Sequence, residues 1–205
     1  MAASITIQPT AVTNAYGLFN VQSQGYTQGD ALADPAVRFW LAGGVVSASA
    51  TSPIWGGMPI QEIIPANVTT PGYGTLGSTV AAATNLATST GICVFNQAYG
   101  GVISPTSQVP LFQAGMSINF YRFGSGARIP LRCNTTLAAA IDGGQITQQV
   151  SYDFTNNWLT TYDGSNAFPV KVLRVSTSGN KTVSYTSGNG NSSWLSTENV
   201  ALVLI

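Results

Sequence analysis

The residue types that most often perform enzymatic chemistry are scarce in this sequence. Its 205 residues include no histidine, 2 cysteines, 7 acidic residues and 7 basic residues. Because histidine is the usual general base near neutral pH, its absence excludes Ser-His-Asp and Cys-His catalytic arrangements. It also excludes the zinc sites that combine cysteine with histidine. We therefore expect a protein that is not an enzyme and has no catalytic residues, no cofactor and no metal.

The two cysteines, Cys93 and Cys133, have neither CxxC spacing nor a histidine partner. A metal site at these thiols is therefore not expected. Apposed strands could bring them into a disulfide, but a chain without a secretory leader usually keeps such cysteines as buried thiols. The sequence favours buried thiols and leaves the pairing open.

Three aspartates, Asp142, Asp153 and Asp163, could in principle supply a carboxylate pair of the kind that glycosidases use. Asp142 and Asp163 precede glycine in turn sequences, and Asp153 lies on the polar side of an alternating strand pattern. The segments 153–157 and 163–166 also resemble loose calcium loops, but neither has the full set of carboxylates. Turn formation is the preferred interpretation of Asp142 and Asp163, and a catalytic carboxylate pair is not expected.

Residues 72–77 match the glycine pattern GxGxxG of dinucleotide-binding loops. That pattern requires a preceding strand and an acidic residue about 20 positions later. Here Pro71 precedes the glycines and the acidic residue is missing. We interpret the match as chance in a chain that contains 22 glycines.

The strongest basic and aromatic cluster contains Arg122, Arg128 and Arg132, interleaved with aromatic residues at 120, 121 and 123. Surfaces of this kind bind single-stranded nucleic acid. No lysines widen the cluster, however, and the formal net charge of the chain is zero. We therefore predict no direct nucleic-acid binding. The three arginines are secondary candidates for a protein interface, where arginine is enriched.

Charged residues form 7% of the chain, against about 25% in typical soluble domains. Few charges and a net charge near zero protect a protein poorly against self-association. A subunit whose surface is covered by neighbours tolerates this composition, which favours a role in an assembly.

No run of about 18 apolar residues occurs, so no membrane span is expected. Residues 1–5 have neither a basic segment nor a long apolar run, so a secretory signal peptide is not expected.

The C-terminal half, residues 91–205, has the strand and turn spacing of a mainly β domain, either a β-barrel or a β-sandwich. Gly124-Ser-Gly126 and Ser178-Gly-Asn180 each predict a hairpin between the flanking strands. Pro130 predicts that its strand lies at a sheet edge or carries a bulge. The predicted strands span residues 92–95, 117–123, 127–133, 146–154, 170–175, 182–185 and 199–205, the last of them apolar and buried on both faces.

Residues 1–30 have the pattern of an extended N-terminal arm. Ile5 and Ile7 alternate with polar residues at strand period, and Phe19 follows among glycine, asparagine and glutamine. The arm is either the first strand of its own domain or a segment that reaches onto a neighbouring subunit. These three apolar residues are therefore candidates for subunit contacts.

Residues 31–90 form a loop-rich region, either separate from residues 91–205 or continuous with them in one domain. Asp34-Pro35 predicts the start of a short helix near 35–42, which Gly43 and Gly44 would end. Residues 60–64 resemble a strand, and residues 78–90 favour an extended segment over a helix.

Trp55 and Met58 lie in a part of this region that is punctuated by proline and glycine. Large apolar residues in such a loop usually pack on something. We therefore include Trp55 and Met58 among the candidate contacts with a partner.

Five segments resemble virion structural proteins of tailed bacteriophages, and more narrowly their head decoration, or cement, proteins. The resemblance runs through most of the chain and consists of short phrases. These are DPAVRFWLAGG at 34–44, WGGMPI at 55–60, VFNQ at 94–97, MSINFYR at 116–122 and residues 194–205. Such proteins are typically β-rich, lack enzymatic activity and cofactors, and sit as oligomers, often trimers, on the outside of the capsid.

The resemblance implies a non-enzymatic virion protein that binds the major capsid protein on the capsid exterior and bridges neighbouring capsid subunits. Two alternatives stay open. One is a subunit of the phage tail, baseplate or fibre. The other is a glycan-binding β-sandwich in which Trp158, Tyr162 and Trp194 stack on sugar rings.

Overall fold

The structure is a computed structural model that describes residues 25–31, 37–63, 78–95, 109–141, 149–187 and 190–205. The fold is mainly β, with 49% strand and 10% helix, as the sequence predicted. The strands in this part of the chain are β1 (Leu41–Val46), β2 (Pro59–Ile63), β3 (Ser78–Ala82), β4 (Gly91–Val94), β5 (Ser117–Arg122), β6 (Arg128–Cys133), β7 (Val150–Asp153), β8 (Trp158–Thr161), β9 (Lys171–Ser176), β10 (Thr182–Thr186), β11 (Asn191–Leu195) and β12 (Asn199–Leu204).

Three short helices accompany these strands. Two are 3₁₀ helices, Val37–Trp40 and Leu86–Thr88, and one is an α-helix, α1, over Thr135–Ile141. Among the helices of the described residues, none has the length and apolar character needed to cross a bilayer.

The first five strands close into a barrel with the order β1-β3-β2-β4-β5. The β1–β3 pair is parallel, and the other pairs are antiparallel. Alternate residues point inward and fill the small interior, so no room is left at Gly44, where a Cβ would lie 2.5 Å from Cγ2 of Val80. The inward side chains are almost fully buried and include Val46, Ile60, Val80, Ile118 and Phe120.

A separate five-stranded sheet has the order β7-β8-β6-β12-β9. Its apolar strand β12 pairs with β6 on one side and β9 on the other, which explains the near-continuous apolar run at the C-terminus. The main core lies against this sheet and joins Leu131 and Val203 of the sheet to Leu137 of α1 and to Ile92 and Tyr121 on the outside of the barrel. One apolar core therefore connects the barrel to the sheet.

The strands β10 and β11 form a two-stranded hairpin that packs on the barrel rather than on the larger sheet. Val183 is 3% exposed within the barrel's core cluster. Tyr185 packs on Trp55 with ring centroids 5.3 Å apart, and Trp194 meets Phe95 edge-on at 5.8 Å.

Residues Gly25–Asp30, which we name the clasp, tie all three units together. The amide of Gln28 donates to the carbonyl of Lys181 beside β10, and the amide of Gly29 donates to Pro130 in β6. The carbonyl of Gly29 accepts from Phe95 at the end of β4. The last residues of the predicted arm, 25–30, are thus hydrogen-bonded to the body of the same chain, in line with the alternative that they belong to its own domain. Ile5, Ile7 and Phe19 lie outside the described residues.

The barrel lies earlier in the chain than expected. It is formed between Leu41 and Arg122 and so straddles residue 91, where the loop-rich region was expected to end. The helix predicted near 35–42 is a single 3₁₀ turn that leads directly into β1. Gly43 and Gly44 do not end a helix, because the register of β1 against β5 continues through both of them.

Both predicted hairpins are wrong in the same way. The strands on either side of Gly124-Ser-Gly126 exist, but β5 pairs within the barrel and β6 pairs with β12 and β8. Likewise β9 pairs with β12, and β10 pairs with β11. In each case the turn connects strands of two different sheets. The flanking strands do not pair with each other, because strands from elsewhere in the chain already pair with them.

The expectation for Pro130 is wrong, because β6 is the middle strand of its sheet and its register with β12 runs through Pro130 without a bulge. The proline is nevertheless accommodated on the other side of the strand. β6 contacts β8 only through Cys133 and Leu159, so Pro130 has no strand partner on that side. Its carbonyl accepts from Gly29 there, and the missing N–H of proline would face the same way.

Candidate functional site

The most exposed large apolar side chains of the described residues are Phe39 and Trp40, just before β1. Phe39 is 91% exposed and Trp40 is 67% exposed. Their 3₁₀ turn buries none of its residues, so neither ring contributes to the core. Aromatic side chains bury roughly 150–250 Å² each when they pack, so leaving two of them in water forgoes a large stabilisation. We name these two residues the aromatic pair.

The outward surface of β1, β3 and β2 carries no charged side chain. Successive residues of a strand point to opposite sides, so the residues on this outward surface are those that alternate with the inward residues of the same strands. Val45 and Ile63 are 44% and 38% exposed there and flank Thr79, with which both are in register. The other outward residues are Gly43, Gln61 and Ala81. We name these six residues the β1–β3–β2 face.

Trp55 and Met58 do not offer their side chains to a partner, contrary to the expectation from their loop. They are 6% and 5% exposed and belong to the core cluster of the barrel. The loop that carries them folds over the barrel and is held by a bridge between Ile54 and Phe112. Trp55 and Met58 therefore stabilise the barrel by packing in its core, and their side chains are not available for contact with a partner.

The three arginines do not form one basic patch. Arg122 makes a bidentate ion pair with Glu62, from Nε to Oε2 at 2.8 Å and from Nη2 to Oε1 at 2.6 Å. Arg132 pairs with Glu198 at 3.2 Å and lies over the ring of Trp158 at 4.8 Å. Of the three, only Arg128 is exposed and has no acidic partner among the described residues, so it remains the simplest arginine candidate for an interface.

The Arg122–Glu62 pair closes one end of the barrel. Glu62 on β2 is 7% exposed and also accepts a hydrogen bond from Ser78 on β3. Arg122 extends from β5 over the ring of Phe120 inside the barrel, at 5.7 Å. Three strands are thus joined by side chains where the apolar interior ends.

This ion pair makes stability depend on pH. The hydrogen bond from Arg122 is the main cause that lowers the pKa of Glu62 below its ordinary value of 4.5. The folded protein therefore holds a proton at Glu62 less readily than the unfolded chain, and the stabilisation is lost as the pH falls below about 4.5. We expect wild type to lose more stability than Glu62→Gln between about pH 6 and pH 3, measured by urea denaturation. Equal losses in the two proteins would contradict this role.

Asp153 and Asp163 form two turns of the same design. The turn at Asp163 was predicted, whereas Asp153, which was placed on a strand, ends β7 and also opens a turn. Asp142 lies outside the described residues. In each turn one carboxylate oxygen accepts the amides two and three residues later, and the other accepts the side-chain amide of Asn156 or Asn166. The hydrogen bond from Asn166 is the largest cause that lowers the pKa of Asp163. Within the described residues, no three Cys, Asp or Glu side chains are grouped so that they could hold a metal ion.

Cys93 and Cys133 are free and buried, as the sequence favoured. Burial raises the pKa of both thiols, that of Cys133 to about 12. Because the thiolate is the nucleophilic form, neither cysteine is suited to nucleophilic chemistry near neutral pH.

The residues proposed for sugar stacking are dispersed. Trp158 is covered by the guanidinium of Arg132, and Trp194 packs on Phe95. Tyr162 is half-buried between β8 and the Asp163 turn. The aromatic pair was not singled out from the sequence, because both residues were assigned to a helix. Two adjacent aromatic residues were the available signal, since one short turn cannot direct both of its neighbouring side chains toward the core.

Comparisons of the chain with protein-family models, with curated proteins and with solved structures find no match.

Proposed function

We propose that this chain is a non-enzymatic structural subunit of a virion, which binds the outside of a phage capsid and bridges neighbouring capsid subunits. The observation that carries the proposal is the exposure of Phe39 and Trp40 just before β1, a strand whose outward face, together with β3 and β2, carries no charge. The low content of charged residues and the resemblance to decoration proteins support the same role. The partner is the major capsid protein, and the subunit acts as a homo-oligomer, by that resemblance a trimer.

Burial of the aromatic pair would supply a substantial part of the binding free energy. Each ring would remove well over ~100 Å² of apolar surface from water, at about 25 cal/mol per Å². Part of this gain is offset by the loss of translational and rotational freedom on binding. On a lattice with many equivalent positions, each oligomer engages several sites at once, which raises the overall affinity further.

Because the aromatic pair and the β1–β3–β2 face are uncharged, their part of capsid binding should depend little on salt, although exposed Arg38 adds one charge in the same turn. Screening weakens attractions between exposed charges but leaves apolar burial intact. An interface led by Arg128 would behave differently and would weaken as the salt concentration rises.

The test is binding of the double variant Phe39→Ser/Trp40→Ser to undecorated capsids of the virus that encodes this chain, measured by co-sedimentation. We expect its affinity to fall at least tenfold, the loss typical of truncated aromatic anchors. The fold should be unaffected, because neither side chain is buried.

The matched control is Lys171→Ser/Arg174→Ser, which changes two exposed side chains on β9 of the other sheet. This variant should bind capsids as wild type does. Unchanged binding by Phe39→Ser/Trp40→Ser would overturn the assignment of the surface. Labelled protein on tails rather than heads in electron micrographs would replace the capsid role with a tail, baseplate or fibre role.

A further inference from the structure

A cleft of about 600 Å³ opens between the barrel, the β10–β11 hairpin and the turn that joins β7 to β8. Its volume lies within the range of small-molecule sites, roughly 300–1,000 Å³. It is distant in sequence from the aromatic pair, and none of its lining residues belongs to the β1–β3–β2 face. The cleft is therefore a feature that capsid binding leaves unexplained.

Aromatic and polar side chains line different parts of this cleft. Tyr185, packed on the buried Trp55, and Phe154, at the β7–β8 turn, supply ring surfaces. Asn157 and Ser184 supply an amide and a hydroxyl. This combination of ring surfaces with hydrogen-bonding groups is suited to a ligand that has one apolar face and many hydroxyls.

One fixed cation lines the cleft. The guanidinium of Arg132 is held between the ring of Trp158, at 4.8 Å, and the carboxylate of Glu198, at 3.2 Å. Glu198 contacts Nη2, whereas the buried Nε has no hydrogen-bond partner in the described structure. Among the described residues that line the cleft, none is Asp or Glu. A single negative charge on the ligand would therefore meet an oriented guanidinium, whose charge Glu198 partly balances, and no carboxylate in the lining of the cleft.

A second cavity of about 260 Å³ adjoins the cleft and shares Thr84 and Phe154 with it. Its lining includes Asp163 and Asn166, so it is suited to a neutral group with hydroxyls rather than to an anion. The two spaces together could hold a ligand longer than one ring.

We infer that the cleft binds an acidic saccharide, with its carboxylate toward Arg132 and a sugar ring against Tyr185 and Phe154. The amide of Asn157 and the hydroxyl of Ser184 contact the sugar hydroxyls. A nucleotide fits less well, because its phosphates carry more charge than one partly neutralised arginine can balance. This inference goes beyond the proposed capsid role and does not depend on it.

The test compares glucuronic acid with glucose as ligands of the full chain, by titration with NMR detection. These two sugars differ at one carbon, where glucuronic acid has the carboxylate. We expect glucuronic acid to bind at least fivefold more tightly than glucose, and Arg132→Gln to remove that preference. Arg128→Gln is the matched control, because Arg128 is an exposed arginine on the same side of β6.

A second variant tests the cleft without disturbing the ion pair. Asn157 has a φ of 55°, which glycine adopts without strain, so Asn157→Gly removes the amide and keeps the turn. We expect it to weaken both sugars at least fivefold with no loss of thermal stability. Three results would each overturn the inference. The first is that neither sugar binds wild type. The others are that Arg132→Gln keeps the preference for glucuronic acid, or that Asn157→Gly binds both sugars as wild type does.

Discussion

Replacing Gly29 with alanine is expected to destabilise the protein by at least about 3 kcal/mol. Gly29 has a φ of 77°, which costs an L-residue about 1–2 kcal/mol. The added Cβ would also overlap the Cα and carbonyl carbon of Gly56, and backbone atoms cannot move aside without shifting the loop that covers the barrel. Thermal denaturation should show a fall in Tm of at least about 6 °C for a chain of this size.

Gly126 provides a matched control for the backbone conformation. It has the same φ of 77°, but a Cβ built there meets no atom within 4 Å. Gly126→Ala should therefore cost only about 1–2 kcal/mol, the part that comes from the backbone conformation. If the two variants were equally stable, the close approach of the clasp to the barrel loop would be refuted.

Replacing Gln28 with alanine is expected to cost about 2–4 kcal/mol. Gln28 is 1% exposed, and its Oε1 accepts a hydrogen bond of 3.0 Å from the amide of Val183 in β10. The alanine variant leaves that buried amide without an acceptor and adds a cavity. The free energy of unfolding from urea titrations is the relevant measurement.

Gln28→Met separates the two contributions to this cost. Methionine has nearly the volume of glutamine but no acceptor, so it should lose only the hydrogen-bond part, about 1–3 kcal/mol. Gln149→Met at an exposed position should change stability by less than about 0.5 kcal/mol. A Gln28→Met protein as stable as wild type would show that the bond to Val183 contributes little.

The positions of most strands could be predicted from the sequence, because alternation and apolar runs are local properties. β2, β4 and β12 lie close to where residues 60–64, 92–95 and 199–205 predicted them. The pairing of strands could not be predicted, because it depends on which distant strand covers each edge. The sequence around Gly124-Ser-Gly126 is compatible with a hairpin, and only the competition of β1, β4 and β12 for the flanking strands excludes it.

Short elements were missed for a related reason. α1 was not predicted, although Asn134 accepts the amide of Leu137 at its N-terminus and Leu137 is fully buried. A helix of 7 residues has too few turns to show clear periodicity, and its stability comes from packing on the sheet.

The candidate surfaces also differ in how far they could be predicted. Features that depend on neighbouring residues were predictable, and features that depend on distant strands were not. Phe39 is exposed and Trp55 is buried because of how each segment packs relative to the barrel strands. That packing depends on several distant segments, so no single segment predicts it. The arginines could be recognised as a cluster, but not their acidic partners, which lie on other strands. By contrast, the Asp153 and Asp163 turns were predictable, because every bond in them lies within a few residues.

The clasp also constrains when this protein can finish folding during synthesis. Gln28 leaves the ribosome early, yet the amide that it binds is 155 residues further along the chain. Until Val183 has emerged, the side chain of Gln28, which is buried in the folded protein, lacks the amide that it binds. The clasp therefore reaches its final set of bonds only after β10 has been made, and translation stalled before residue 183 should leave a species that proteases and chaperones recognise.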